Sequence, residues 1–321
     1  MAARSSDGVS VVTGGAGAIG SALVARLLGE GRTVRVLDNF STGRKEALPA
    51  PSPRLRVVPV DLGTDPTPLE EFRGAEELWH LAANADIRLG TQDPSIDLRN
   101  GTLAAHDVLE AARRADVRRV LFSSSSVVYG LAKAQPTPES YGPLLPESQY
   151  AAAKLAAEGL MSAYAHSYGL TASIFRFANI IDGRMNHGIL FDLFEKLRRD
   201  PGRLEVLGDG RQAKSYLRTE ECVDAMLFVR DRSPDRVAVF NLGASDRLSV
   251  REIAEKVVAA HGGHATIVYT GGSRGWVGDV PLQLLAIDKI RQLGWSPKLT
   301  SAQAVDRTIQ ELVAGGAARA A

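Results

Sequence analysis

Cysteine is nearly absent: the chain has one, Cys222, so no intrachain disulfide can form and a reducing compartment is expected. That cysteine has no second cysteine to pair with, and the six histidines show no ligand-like spacing, so no metal is expected. Long apolar runs are missing too; none reaches the roughly 18 residues that a membrane-spanning helix needs. Met1 to Asp7 carry one arginine but no uninterrupted apolar region and no cleavage site after it, so a cytoplasmic location is expected. Neither sign of charge dominates. Lys plus Arg number 38 against 37 for Asp plus Glu, which gives no general attraction to nucleic acid or to a membrane surface. No internal repeat occurs. What is present is ordinary for a globular chain: 321 residues, 45% hydrophobic and 23% charged, enough for one large domain or two interleaved lobes.

The stretch around which the chain is organised is Val11-Val12-Thr13-Gly14-Gly15-Ala16-Gly17-Ala18-Ile19-Gly20. An apolar run from Val9 to Val12 reads as a buried strand, and a helical pattern follows from Ser21 to Leu28. Glycines at 14, 17 and 20 lie between them. A strand, a tight glycine turn and a helix N-terminus together form a cradle for a pyrophosphate, because the backbone can approach closely and the first helical N–H groups face the anion. The same pattern also suits an ordinary strand–helix turn. The next apolar strand, Thr33 to Leu37, ends in Asp38, 18 residues after Gly20. A carboxylate at that strand tip accepts hydrogen bonds from a ribose diol and repels a 2′-phosphate, which favours NAD over NADP; Arg44 nearby pulls the other way.

Further strands read from Leu55 to Val60, Leu78 to Leu81 and Arg119 to Ser123, and a helix from Asp97 to Arg114 with Leu98, Leu103, Val108, Leu109 and Ala112 facing inward. Strands apolar enough to be covered on both faces, alternating with helices, predict an α/β fold with a doubly wound parallel sheet. Ligands of such sheets bind beyond the carboxyl ends of the strands. Asp38, Asp61, Asn84 and Ser123 to Ser126 stand at those ends. The four-serine run alone suits a linker; flanked by Leu121-Phe122 and Val127-Val128-Tyr129 it reads as a strand edge with hydroxyls toward a ligand. After a Pro- and Gly-rich loop to Ser148, Tyr150 and Lys154 open a helix that reaches Tyr168. Residues four apart share a helical face. An exposed pair on an alanine-rich helix would look the same, but the upstream features favour a catalytic pair.

Thr13 to Gly20, Asp38-Asn39, His80-Leu81-Ala82-Ala83, Ser125 and Tyr150/Lys154 together resemble the extended short-chain dehydrogenase/reductase family, and more narrowly its nucleotide-sugar epimerases and dehydratases. The likeness continues through Arg176-Phe177-Ala178-Asn179, Gly208-Asp209-Gly210-Arg211-Gln212 and Arg274-Gly275-Trp276-Val277-Gly278-Asp279, nearly the whole chain. It implies a Rossmann NAD-binding domain over residues 1–180, with returning segments near 213–245, and a smaller, interleaved lobe over 181–321 that binds the nucleotide sugar. Sugar dehydratases of this family carry an Asp-Glu pair just before V-Y-G and decarboxylases a Glu; here those places hold Ser126 and Val127. Removing water across C5–C6 needs an acid and a base at that end of the sugar, so the resemblance points to an NAD-dependent UDP-sugar 4-epimerase, an isomerase. A dehydratase or reductase, or a silent NAD-binding protein, are the other readings; intact Ser125, Tyr150 and Lys154 oppose the last.

By the same resemblance Tyr150 takes the proton of the sugar 4-hydroxyl while hydride leaves C4, Lys154 and the nicotinamide charge stabilise the phenolate, and Ser125 bonds the 4-oxygen. An unperturbed tyrosine, with a pKa near 10, would be too weakly ionised at neutral pH without them. Net redox is zero, so NAD is expected to stay tightly bound. The cofactor residues implied are Gly14, Gly17, Ala18, Ile19, Gly20, Asp38, Asn39, Ser41, Thr42, Gly43, Asp61, Leu62, Leu81, Ala82, Ala83, Asn100, Ser123, Tyr150, Lys154 and Phe177. Ser125, Ser126, Asn179, Lys214, Arg274 and Asp279 are implied for the UDP-sugar, with Lys214 and Trp276 standing where relatives often have arginine. Arg88 and Arg184 are the remaining candidates. A guanidinium pairs with a carboxylate through two hydrogen bonds, so these two, with the hydroxyls of Ser124 to Ser126, give a lean toward UDP-glucuronate/UDP-galacturonate over UDP-glucose/UDP-galactose. Helices 97–114 and 147–168 are where the family dimerises, so a homodimer is implied.

Overall fold

The computed structural model describes residues 8–84, 86–276 and 278–319, with side chains through 315. Met1 to Asp7, Ala85 of the expected Ala82–Ala85 trough, Val277 of the R-G-W-V-G-D stretch and the last two alanines lie outside the described residues. In chain order the strands are β1 (Val9–Thr13), β2 (Thr33–Asp38), β3 (Leu55–Pro59), β4 (Ala75–His80), β5 (Arg119–Ser125), β6 (Thr171–Phe177), β7 (Asn179–Ile181), β8 (Arg203–Val206), β9 (Ala213–Lys214), β10 (Tyr216–Arg218), β11 (Val237–Leu242), β12 (Leu248–Ser249), β13 (Thr266–Tyr269) and β14 (Leu282–Gln283). The helices are α1 (Ala18–Gly29), α2 (Leu89–Gln92), α3 (Pro94–Asp97), α4 (Ala104–Arg114), α5 (Gln149–Tyr168), α6 (Ile189–Arg199), α7 (Thr219–Arg232), α8 (Val250–Ala260), α9 (Asp288–Leu293) and α10 (Ser301–Arg319).

The chain forms two compact units. One comprises the chain up to Val128, Ser148–Arg176 and Val223–Phe240; the other comprises Tyr129–Glu147, Phe177–Cys222 and the chain from Asn241 on. A seven-stranded sheet in the order β11-β6-β5-β4-β1-β2-β3 is the frame of the first. β1 pairs in parallel with β2 and β4, β2 with β3, and β4 with β5. Its strands read as continuous apolar runs because both faces are covered: Val11, Val12, Val34, Val36, Leu78 and Trp79 are fully buried. Val108, Leu109 and Ala112 of α4 and Ala157 and Met161 of α5 join Val11, Leu37 and Leu78 in one core. The doubly wound α/β fold is the one the sequence predicts.

α5 shows how local sequence sets an element. The Ser148 hydroxyl accepts from the Ala151 N–H at 3.2 Å and starts the helix, and Gly169 ends it in the left-handed region at φ 74°. Two expectations fail locally. Ser126 does not extend the strand edge; β5 ends at Ser125 and Ser126–Tyr129 forms a single tight turn. Nor is 97–114 one regular helix. α3 is followed by a π turn over Leu98–Leu103, and only then by α4. The wider turn shifts the register, so Leu98 and Leu103, expected inside, are 53% and 48% exposed.

In the second unit β8 pairs with β13, β7 with β10, and β9 with β12 and β14. α6, α8 and α10 bury Leu193, Leu197, Ile253, Val257, Val305 and Ile309 in a core of their own. A reciprocal cap between Ser249 and Glu252 starts α8.

Candidate active site

The glycine turn is built from backbone contacts that leave no room for side chains. Gly14 has φ 68°, and a Cβ there would lie 2.7 Å from the Ala82 nitrogen; one on Gly20 would lie 2.1 Å from the Gly14 carbonyl oxygen. α1 starts at Ala18, earlier than the Ser21 pattern predicts, with Gly17 before it and no side chain capping the helix. Its first N–H groups are therefore presented as the backbone alone presents them, the arrangement that suits a pyrophosphate. The Asp38 carboxylate accepts from the Ala16 N–H and the Phe40 N–H, each at 2.8 Å, so it is fixed beside the turn. The following loop folds back: the Asn39 side chain accepts from the Ser41 N–H and hydroxyl, and Gly43 lies against Ala16. Thr42 belongs to the same loop.

Across the strand tips, the Thr13 hydroxyl accepts from the Leu81 and Ala82 N–H groups at 3.2 Å each, which puts this pair beside Gly14; Ala83 follows. Asp61 turns its carboxylate onto the Gly63 N–H, Leu62 is buried in the core, and the Asn100 amide oxygen comes from the π turn against Gly63. These residues suit NAD on structural grounds: an uncapped helix start, a backbone-lined turn and a strand-tip carboxylate.

Beyond β4 and β5 the site becomes buried and charged. Lys154 is 3% exposed, and its ammonium donates to the Ser123 carbonyl oxygen at 2.6 Å while resting over the Phe122 ring at 4.8 Å and 5.7 Å from the Tyr150 ring centre. Burial pulls its pKa down to about 7, against the opposing pull of Glu158 and Asp97. Burial first, and the Asp97 charge second, push the Tyr150 phenol well above the usual tyrosine range. Ser123 donates through its hydroxyl to the His80 carbonyl oxygen, and the Ser125 hydroxyl accepts from the Val127 N–H at 3.4 Å. His80 is buried, bonded through Nδ1 to Thr13, and held neutral, its pKa lowered to about 3 by burial and then by Lys154.

Two residues that motif reading does not single out, Glu158 and Asp97, complete this end together with Arg176 and Asn84. Glu158, one helical turn after Lys154, accepts from the Ser124 hydroxyl and from Arg176 Nε and Nη2 at 3.0 and 2.7 Å. Asp97 lies in the same pocket, and Asn84 Nδ2 donates to its Oδ1 at 3.0 Å. The i+4 spacing could have drawn attention to Glu158; nothing in the sequence marks Asp97, because the π turn that sets its direction has no sequence signature.

Arg88 does not stand free toward a sugar. Its guanidinium donates to Asp86 at 3.0 and 3.2 Å, and half of its side chain is in solvent. Arg184, in the second unit, is held the same way by Asp182 at 3.0 and 2.8 Å. The second unit also holds Asn179, Lys214, Arg274 and Asp279 of the expected substrate residues. Asn179 Nδ2 donates to the Ser215 carbonyl oxygen, Lys214 Nζ to Asp279 Oδ1 at 2.6 Å, and the Gly275 N–H to Asp279 Oδ2. Arg274 is paired with Glu147 at 2.8 Å. Phe177 and Cys222 are buried, the thiol of Cys222 pushed up by burial alone.

A family model for the NAD dependent epimerase/dehydratase family matches residues 10–243. The chain belongs to that family. A UDP-glucose 4-epimerase of Mycolicibacterium smegmatis is 33% identical over 311 residues, covering 94% of this chain and 97% of that protein. The UDP-glucuronic acid decarboxylase 1 of Arabidopsis thaliana is 31% identical, covering 94% of this chain and 69% of the relative. Among solved structures, that of a UDP-galactose 4-epimerase superimposes with a TM-score of 0.86 at 38% identity over 96% of this chain and 99% of its own. NAD dependence comes with the family. Among the described residues no helix is long and apolar enough to cross a membrane.

Proposed function

We propose that this member of the epimerase/dehydratase family is an NAD-dependent UDP-hexose 4-epimerase. One observation carries the reading: Lys154 is buried against the end of β5 with the half-buried Tyr150 beside it, and the two positions after that strand, Ser126 and Val127, bring no carboxylate. Epimerisation at C4 needs one proton moved at one oxygen. Loss of water, or of a carboxyl group, needs further acid–base groups. NAD bound at the glycine turn and Asp38 supplies a hydride acceptor that returns what it takes. Tyr150 removes the C4 hydroxyl proton and gives it back, Ser125 holds the 4-oxygen, and Lys154 offsets the phenolate charge. The sugar presents its other face before reduction, held by its diphosphate. Asn179, Lys214, Arg274 and Asp279 supply that hold in this reading, with residues 1–180 chiefly binding NAD and 181–321 chiefly the nucleotide sugar.

Both hexose pairs, neutral and acidic, fall within this activity. The neutral pair comes first, because Arg88 and Arg184 each already bind an aspartate two residues away. The working form is a cytoplasmic homodimer joined through α4 and α5. Incubation with UDP-glucose, UDP-galactose and UDP-glucuronate, followed by NMR of the products, tests the reading. A C4 epimer with no accumulation of NADH is expected; a UDP-pentose or a released keto-sugar overturns it. Light scattering of the eluting protein reads the dimer.

A further inference from the structure

Asp97 is the last residue of α3 and lies directly before the π turn. It is 2% exposed, yet among the described residues it meets no cation by hydrogen bond. Asn84 Nδ2 bonds its Oδ1, while Oδ2 has no hydrogen-bond partner among the described residues. The wall around that oxygen is close: a Cβ on Gly90 would lie 1.9 Å from Oδ2 and 3.4 Å from the Gln149 Cβ, so any side chain there would push the carboxylate aside. The π turn itself is seated on the catalytic helix, where a Cβ on Gly101 would lie 2.7 Å from that of Ala153, the neighbour of Lys154.

A buried carboxylate with an empty oxygen is costly unless its charge is needed. The charges in this pocket show the need. From within α5, Lys154 faces Glu158; from β6, Arg176 binds the same Glu158 through two hydrogen bonds. His80, from β4, is held neutral. Glu158 thus faces two buried cations, and Asp97 brings a second anion to the pocket. Burial pushes the Asp97 carboxyl up, while Asn84 and Lys154 draw it down.

We propose that Asp97 is a positioning residue that acts through Tyr150 and Lys154: its charge keeps the lysine an ammonium and the phenol protonated, and so sets the pH window of proton transfer. The proposal rests on the 4-epimerase reading for its kinetic form only. A nearby anion raises the pKa of a phenol and of an ammonium alike. Removing it must therefore move both in the same direction.

The test is the pH profile of kcat/KM for UDP-glucose in wild type, Asp97→Asn and Asp97→Ser, each isolated with bound NAD. Both limbs are expected to slide to lower pH by on the order of one unit in the neutral variants. A lower rate with limbs unmoved overturns the proposal, since loss of packing alone shifts no pKa. A second readout does not depend on turnover: ultraviolet difference titration of the tyrosinate, with Tyr150→Phe subtracted to isolate Tyr150. A lower Tyr150 titration in either variant supports the proposal, and an unchanged one overturns it. If the wild type epimerises no UDP-hexose, the function reading fails alone and the titration still decides on Asp97. If Asp97→Asn does not fold, Asp97→Ser gives both readouts.

Discussion

β4 runs between two buried charge clusters that are built on opposite rules. Near its start, Glu77 accepts from the Ser10 hydroxyl at 2.8 Å and the Trp79 indole at 3.0 Å, with Arg32 at 3.3 Å and Arg119 and Arg230 each at 3.8 Å. Arg230 is further bound by Glu30 and Asp231, and Arg32 by Ser10 and Glu76. At its end, His80 Nε2 and Asp97 Oδ2 are buried with no hydrogen-bond partner among the described residues, and burial moves Lys154 and Tyr150 far from their usual ranges. The same unit therefore has one cluster in which a single carboxylate is tied to three arginines and one in which buried polar atoms are left without a hydrogen bond. Fully bonded charges fix a scaffold; incompletely bonded ones are where a proton can be moved, since perturbed groups in a ligand-facing pocket are the ones chemistry uses.

Exchanging a residue at each end separates the two rules. Tyr150→Phe removes the phenolic oxygen alone and should lower kcat by on the order of 10³-fold or more, with an unchanged circular dichroism spectrum and UDP-sugar still bound in calorimetry. Near-normal turnover would put the proton transfer elsewhere. Glu77→Ala should do the reverse. It takes the shared carboxylate from Arg32, Arg119 and Arg230 and should cost about 3–5 kcal/mol of stability in denaturant unfolding, while the NAD-loaded fraction that remains folded keeps its kcat. A loss of kcat without a loss of stability would erase the distinction between the two ends.

Acid sharpens the comparison from another side. His80 stays neutral in the folded chain down to about pH 3, whereas in the unfolded chain it takes a proton below about 6.5. Between those values the unfolded state binds more protons, so stability falls as pH falls through that window. Unfolding midpoints measured from pH 6.5 downward should decline less steeply in His80→Gln than in wild type, and parallel slopes would remove His80 from the account. The smallest effect concerns charges that are answered at the surface. Arg88→Ala and Arg184→Ala should change the ratio of catalytic efficiencies for UDP-glucose and UDP-glucuronate by less than about threefold, because exposed pairs of this kind are worth little. A tenfold shift would reinstate a carboxylate-reading role for either arginine.

What the sequence makes legible is what depends on short spacing. The glycine turn, Asp38 at the next strand tip and the four-residue step from Tyr150 to Lys154 are local rules, and the fold around them follows from strands that are apolar on both faces. Positions 98 and 103 depart from the expected inward face for an equally local reason: α-helical periodicity does not run through a π turn, so these two leucines are out of step with Val108, Leu109 and Ala112, which do face the core. No spacing rule marks Asp97, because its meaning lies in a buried oxygen left without a hydrogen bond, which only the packed pocket reveals. Lys214 and Asp279, 65 residues apart, meet through a long connection that no spacing rule covers. For Arg88 and Arg184 the local signal is the aspartate two positions before each, which already holds the guanidinium.

The π turn has a further consequence for how this sequence tolerates changes in length. A π turn spends one more residue on a rotation than an α turn does, so 98–103 holds a surplus residue relative to a regular helix. Deleting one residue there would let α3 and α4 merge into a continuous helix without lengthening any loop. The segment before the deletion would rotate by about a quarter turn relative to α4, which would carry Asp97 off the side facing Lys154 and bring the leucine face back toward the core. A change that ordinarily ruins a helix would here regularise it, and its cost would fall on the proton chemistry.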